Sequence, residues 1–126
     1  MNPEELRYTK DHEWIFVEGE VATVGISDYA QEQMGDIVSV ELPQPGDSFS
    51  KGDQMILLDS MKASSDVYAP ISGEILEVNE GLEDAPEKVN ESPHEEGWLV
   101  KLKFSNPAEF EGLMDYSAYK KLLEEA

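Results

Sequence analysis

Short apolar runs broken by Gly, Pro and Asp at close intervals fill the chain from residue 13 to residue 104, a pattern of strands joined by tight turns rather than of helices. Trp14-Ile15-Phe16-Val17 and Val21-Ala22-Thr23-Val24-Gly25-Ile26 flank Glu18-Gly19-Glu20, which predicts a hairpin. Ser27 is placed to cap one or two helical turns through residues 29–34, with Gly35 to close them. Gly46-Asp47 and Gly52-Asp53 predict tight turns beside short strands, and Gly73 a turn into a further strand. Trp98, Val100, Leu102 and Phe104 alternate with Leu99, Lys101 and Lys103, the period of a strand with one buried face. Asn106-Pro107 opens a predicted helix over Ala108 to Met114, and Tyr119, Leu122 and Leu123 mark a second helical face, giving a C-terminal helical segment at about 107–125. The acidic, Pro-containing stretch from Glu80 to Glu96 reads as a long surface loop.

Gly35-Asp36-Ile37-Val38-Ser39-Val40-Glu41 matches Gly73-Glu74-Ile75-Leu76-Glu77-Val78-Asn79 at an offset of 38 residues. The match predicts two similar halves, in which Val38/Val40 and Leu76/Val78 take the same alternating face of strands related by a pseudo-twofold axis in one sandwich. The fold expected is mainly β, one domain over residues 1–126 with a β core at about 13–104 and short helices. Trp14, Trp98, Phe104 and Tyr68 read as core, and His12 as packing where the chain enters the first strand. Met34, Met55 and Met61 form no stripe.

Charge narrows the partners. Against 28 Asp+Glu stand 9 Lys+Arg, a formal net charge of −19, which repels a phosphate backbone or an anionic bilayer. Neither nucleic acid nor membrane is expected as a partner. No apolar run approaches the roughly 18 residues of a membrane span, and Met1-Asn2-Pro3-Glu4-Glu5 lacks the basic and apolar regions of a signal peptide. The expectation is a soluble, cytoplasmic monomer. The absence of cysteine excludes disulfides, a thiol nucleophile and thiolate metal sites, and His12 and His94 have no ligand spacing, so no metal is expected. Any redox sulfur has to come from outside the encoded amino acids.

The chemistry concentrates in Ile56-Leu57-Leu58-Asp59-Ser60-Met61-Lys62-Ala63-Ser64-Ser65-Asp66-Val67-Tyr68-Ala69-Pro70, a strand, a polar break and a second strand. A tight hairpin lifts Lys62 to an exposed tip among small residues, within reach of another enzyme. By position alone a turn lysine is ordinarily just solvated. A catalytic amine wants a desolvating pocket, which a tip does not supply.

Asp59 through Glu74, between the two half-repeats, resembles the lipoyl-bearing hairpin of the glycine cleavage system H protein family, with Lys62 in the position of the modified lysine. The similarity extends to His12-Glu13-Trp14, to Val24-Gly25-Ile26-Ser27-Asp28-Tyr29-Ala30-Gln31, to Gly35-Asp36-Ile37-Val38 with Val40-Glu41-Leu42-Pro43, and to Pro86, Val89-Asn90, Ser92-Pro93 and Gly97-Trp98. Departures are Lys88, the Ser92-Pro93-His94-Glu95-Glu96-Gly97 loop, and Asp59 in place of the usual Glu.

The resemblance implies a lipoyl/biotinyl-type barrel-sandwich and a non-catalytic carrier with lipoate amide-linked to Lys62. It also implies four partners: glycine decarboxylase (P protein), aminomethyltransferase (T protein), dihydrolipoamide dehydrogenase (L protein), and a lipoate ligase or octanoyl/lipoyl transferase. Glu13 and Asp66 match positions near the loaded arm and are candidate arm-cleft contacts. A bacterial member is cytoplasmic; a processed eukaryotic form would sit in the mitochondrial matrix. The alternative is a lipoate relay donating lipoyl groups to 2-oxoacid dehydrogenase complexes. A biotin carrier fits less well, because Met61-Lys62 is followed by Ala63 rather than a second Met. A hydrolase lacks a nucleophile elbow, a metal set or a pairable carboxylate spacing.

A charge of −19 on so small a chain should steer basic partner surfaces, mainly through association rate. The apparent KM of the decarboxylase for lipoylated protein should rise as salt approaches about 0.3 M, where the Debye length is a few ångströms. A flat KM with active enzyme would assign the acidity to solubility alone.

Overall fold

The structure is a computed structural model that describes residues 3–125. Met1, Asn2 and Ala126 lie outside the described residues, and with them the two ends of the expected 1–126 domain and the start of the Met1–Glu5 segment.

Nine strands are present among the described residues: β1 (Arg7–Tyr8), β2 (Glu13–Glu18), β3 (Val21–Ile26), β4 (Ile37–Glu41), β5 (Ser48–Phe49), β6 (Gln54–Ser60), β7 (Ser64–Tyr68), β8 (Gly73–Val78) and β9 (Val100–Phe104). They form an antiparallel six-stranded sheet in the order β1-β2-β3-β9-β8-β5 and an antiparallel three-stranded sheet in the order β4-β6-β7. The main core lies between the two sheets, where Ile15, Val24, Ile75 and Leu102 from the larger meet Ile37, Ile56, Leu58 and Val67 from the smaller. The architecture is mainly β and barrel-sandwich-like. Five helices, α1 (Asp28–Met34), α2 (Gly81–Asp84), α3 (Lys88–Glu91), α4 (Ala108–Glu111) and α5 (Tyr116–Glu125), complete it.

Local chemistry accounts for the connections. Glu18 pairs with Val21 around Gly19, which takes φ +62, a left-handed turn position suited to glycine. Ser27 accepts the Ala30 N–H on its side chain and caps α1, which Gly35 ends at φ +78. In the two turns at Gly46 and Gly52, Asp47 and Asp53 send their N–H groups back to Gln44 and Ser50, whose own N–H groups the two Asp carboxylates accept. Gly73 is not a turn. It opens β8, and a Cβ there would come within 2.5 Å of the Lys103 carbonyl, so close strand approach is what it permits.

The repeat extends to a shared irregularity. The pairing of β4 with β6 shifts register between Ile37 and Ser39, and that of β8 with β9 shifts between Ile75 and Glu77, at equivalent repeat positions. These bulges overturn the expected alternation, because an extra residue resets which face follows. Ile37 and Ile75 are buried, whereas Val38 is 54% and Leu76 44% exposed.

Three other expectations change. The 80–96 stretch is no plain surface loop: it holds α2 and α3, and Leu82 and Val89, one apolar residue per helix, are fully buried in the main core. The helix predicted to reach Met114 stops at Glu111, because Met114 instead exchanges backbone hydrogen bonds with Tyr8. Tyr68 is 39% exposed, being the last residue of β7 on an outward-facing position, while Trp14 is fully buried.

A second cluster of Leu6, Tyr8, Trp14 and Tyr119, with Leu122 and Leu123 against it, holds α5 to the larger sheet. Strand β2 therefore buries both faces, Ile15 toward the main core and Trp14 toward α5.

Leu82→Ala should lower unfolding free energy by about 2–5 kcal/mol, against about 0.5 kcal/mol or less for exposed Glu83→Ala, as read by urea denaturation. Equal effects would mean that α2 is not anchored through Leu82.

Candidate functional site

The β6–β7 hairpin turns through Ser60, Met61, Lys62 and Ala63, and the bonds that shape it come from every residue except the lysine side chain. Ser60 N–H donates to the Ala63 carbonyl (2.8 Å), and Ser60 Oγ both donates to that carbonyl (2.9 Å) and accepts the N–H of Ala63 (3.1 Å). Met61 N–H donates to Asp36 O (3.0 Å), which ties the tip to the link between α1 and β4. Below the tip, the Asp59 carboxylate accepts from Ser39 Oγ of β4 (2.9 Å) and from the Ser64 hydroxyl of β7, so one side chain joins all three strands of the smaller sheet. Those bonds, that to Ser64 foremost, hold the Asp59 carboxyl below its usual range.

Lys62 is exposed, and among the described residues no hydrogen bond or ion pair holds its Nζ. Its aliphatic stem crosses Gly35 at the end of α1, where a Cβ would stand 3.5 Å from Lys62 Cε. Asn90 fixes that platform. Its Oδ1 accepts Ile37 N–H (2.8 Å), and its Nδ2 donates to Gly35 O (2.8 Å) and Gln31 Oε1 (3.1 Å).

Beside this platform lies a cleft of about 300 Å³. Tyr29, Ala30 and Met34 of α1 line it together with Ser65 and Asp66 of β7, next to the lysine turn. Asp11, His12 and Glu13, entering β2, also line it, so Glu13 and Asp66, far apart in sequence, share one cleft. Asp66 accepts from Gln54 Nε2 (2.7 Å). Glu13 is only 3% exposed; its Oε1 accepts from Thr9 Oγ1 (2.9 Å) and its Oε2 from the Tyr68 N–H (2.8 Å). Glu13 also lines a second cleft of about 480 Å³ beside Tyr68, Lys10 and Lys51. A third, of about 490 Å³, lies against α5 and includes no residue of the lysine turn.

The site thus sets an exposed lysine on a braced tip beside a cleft that holds a buried acid. Comparison with known proteins decides the family. The family model described as Glycine cleavage H-protein matches residues 6–126. The chain belongs to that family. It is 57% identical over 119 residues to the glycine cleavage system H protein of Xanthobacter autotrophicus, covering 94% of this chain and 95% of that one. To the protein of the same name from an Anaeromyxobacter species it is 51% identical over 123 residues, covering 98% and 96%. The crystal structure of a glycine cleavage system H protein from Mycobacterium marinum superimposes with a TM-score of 0.86 at 33% identity, covering 98% of this chain and 99% of that one. As an H-protein family member the chain is a non-catalytic carrier component of glycine cleavage.

Sequence reasoning singled out Lys62, Glu13 and Asp66, but not what holds them. Thr9 and Ser60 act within their own turns, whereas the supporting role of Asn90 depends on contacts with α1 and β4 that no local pattern announces. Nor does the sequence distinguish Glu13 from other acids by burial: an acidic residue opening a strand ordinarily faces water.

Burial raises the Glu13 carboxyl from an ordinary 4.5 to about 7, against the pull of the bonds from Tyr68 and Thr9. The folded state thus holds the Glu13 proton more tightly than the unfolded chain, and its contribution to stability is lost as pH rises through the window from 4.5 to about 7. Glu13→Gln removes the ionisation and can keep the bond from the Tyr68 N–H on its carbonyl, at the cost of the bond from the Thr9 hydroxyl, whose oxygen already accepts the N–H groups of Asp11 and Glu13. Relative to wild type, the stability of the variant should therefore rise by up to about 3 kcal/mol between the lower and the upper end of that window. Urea unfolding across the pH series checks this; parallel profiles would show that Glu13 is not strained by its burial.

Proposed function

We propose that the chain is a single lipoyl-carrier domain, monomeric, bearing lipoate in amide linkage on Lys62. It shuttles the aminomethyl group of glycine from glycine decarboxylase to aminomethyltransferase, and the resulting dithiol to dihydrolipoamide dehydrogenase. The observation that carries this reading is the uncommitted Lys62 Nζ on a tip whose shape depends on Ser60, Asp36 and Asp59 instead. Acylating that nitrogen breaks no ion pair with the described residues, and the exposed tip admits a ligase or transferase. The linked group supplies the dithiolane sulfur that a chain without cysteine lacks.

Within the cleft, the Glu13 and Asp66 carboxylates are suited to hold an ammonium group and keep water from it. Glu13 is the better placed for this, because its desolvation strengthens any charge it meets. Tethering at one exposed point raises the local concentration of the carried group at each successive enzyme.

Incubation with a lipoate ligase, lipoate and ATP should add the mass of one lipoyl group to the wild-type chain and none to Lys62→Arg. Lipoylation that persists in the variant overturns the assignment. Glycine-dependent carbon dioxide exchange with the decarboxylase then tests the glycine role, and its absence in a fully lipoylated protein would leave lipoate transfer as the function.

A further inference from the structure

A buried polar chain runs from α5 to the cleft. Ser27 Oγ lies 2.6 Å from Tyr119 Oη, and Tyr119 Oη lies 2.8 Å from His12 Nδ1. We propose that Tyr119 holds His12 as a neutral ring with its proton on Nε2, so that the cleft is given a hydrogen-bond donor rather than a base.

Proton accounting gives the direction. Ser27 Oγ already accepts the Ala30 N–H (3.2 Å), and Ser27 is buried. Its hydroxyl proton has one acceptor in reach among the described residues, Tyr119 Oη. Tyr119 then spends its own proton on His12 Nδ1, which must be bare, and the neutral ring carries its proton on Nε2. Protonating Nδ1 would make Tyr119 Oη the acceptor and leave one hydroxyl proton, that of Tyr119 or that of Ser27, without an acceptor among the described residues, a cost comparable to a lost hydrogen bond.

The backbone holds the ring in place. His12 takes φ +69, a left-handed conformation that side chains other than glycine seldom adopt. Its N–H donates to Thr9 O (3.1 Å), and its carbonyl accepts from Ser27 N (2.8 Å). The ring packs on Tyr29 of α1 with centroids 4.7 Å apart, and edge-on to Tyr119 at 5.6 Å. His12 lines the cleft, and Nε2 has no protein partner among the described residues.

The ionisable groups around the ring are Asp11 and Glu13 beside it in the chain, Asp66 on β7 across the same cleft, and the tyrosines Tyr29 and Tyr119. Their carboxylates favour an imidazolium, yet burial outweighs Asp11 and holds the ring below its usual range. The cleft thereby combines acids suited to a cation with one N–H suited to a neutral acceptor, a carbonyl oxygen or a sulfur. Tyr119 is a positioning residue that acts through His12. The use of the donor on a carried group rests on the arm-cleft reading; the direction of the bonds does not.

Ring-nitrogen NMR of the full, lipoate-free chain labelled at histidine tests it from about pH 5 to pH 8, with His94→Gln to assign the two rings. Wild type should show His12 neutral at pH 7 in one tautomer, with Nδ1 bare and Nε2 protonated. Tyr119→Phe should lose that single-tautomer signature, the two ring nitrogens moving toward each other as tautomers exchange. A wild-type proton on Nδ1, a charged His12 at pH 7, or a signature unchanged by Tyr119→Phe overturns the proposal. Should that variant fail to fold, the wild-type spectrum decides alone, since a proton on Nδ1 reverses the Tyr119–His12 bond. The spectra stand whether or not Lys62 is modified, so their failure is separate from failure of the mass measurement.

Discussion

The fit of Trp14 over Gly25 is the constraint on which the site depends. The two residues are cross-strand partners in β2 and β3, and a Cβ on Gly25 would come within 2.5 Å of the indole ring. Only glycine lets a ring of that size lie against the strand. The indole N–H reaches the Pro93 carbonyl (2.9 Å), which pins the loop before β9. The same ring belongs to the cluster that seats α5. Glu13 precedes Trp14, so the same pairing of β2 with β3 that seats the tryptophan fixes the backbone of the acid.

Position, not abundance, therefore singles out a carboxylate. The chain has 28 acidic residues, and Glu13 is the one acid in the buried class among the described residues. Exposed acids shape a long-range field that salt screens. Glu13 is instead shielded by protein, held by two donors, and costs folding free energy when it ionises. Asp59 illustrates the contrast: half-buried and bonded by two hydroxyls, it serves the geometry of the lysine turn without the full burial of Glu13.

The strands, the hairpin at Lys62, the caps of α1 and the repeat were legible because each has a local signature: alternation, a polar break, a serine before a helix and a glycine after it. What escaped the pattern is non-local. The bulges at Ile37–Ser39 and Ile75–Glu77 reverse faces without altering the apolar count, so alternation alone put Val38 and Leu76 on the wrong side. The stretch from Glu80 to Glu96 looks like a loop because two anchors, Leu82 and Val89, are too few to set a period among so many acids. The helix at Ala108 ends early for a tertiary reason, the pairing of Met114 with Tyr8. Lys62 stood out by its family resemblance and not by its turn alone, whereas the burial of Glu13 required the tertiary structure.

The same division explains why the C-terminal helix matters to a site it does not touch through the lysine. Helix α5 packs through Tyr8, Trp14 and Tyr119 on the face of the larger sheet opposite the main core, where apolar burial alone would be satisfied by phenylalanine. Tyr119 instead places a hydroxyl between Ser27, which caps α1, and His12, which lines the cleft. One oxygen thus couples the seating of α5 to the start of the helix beneath Lys62 and to the residue preceding Glu13. A polar chain whose buried hydroxyls, Ser27 and Tyr119, are both satisfied fixes a unique arrangement where packing alone would allow several. The precision of the cleft accordingly depends on contacts spread from Thr9 to Tyr119, although its chemistry is confined to a few side chains.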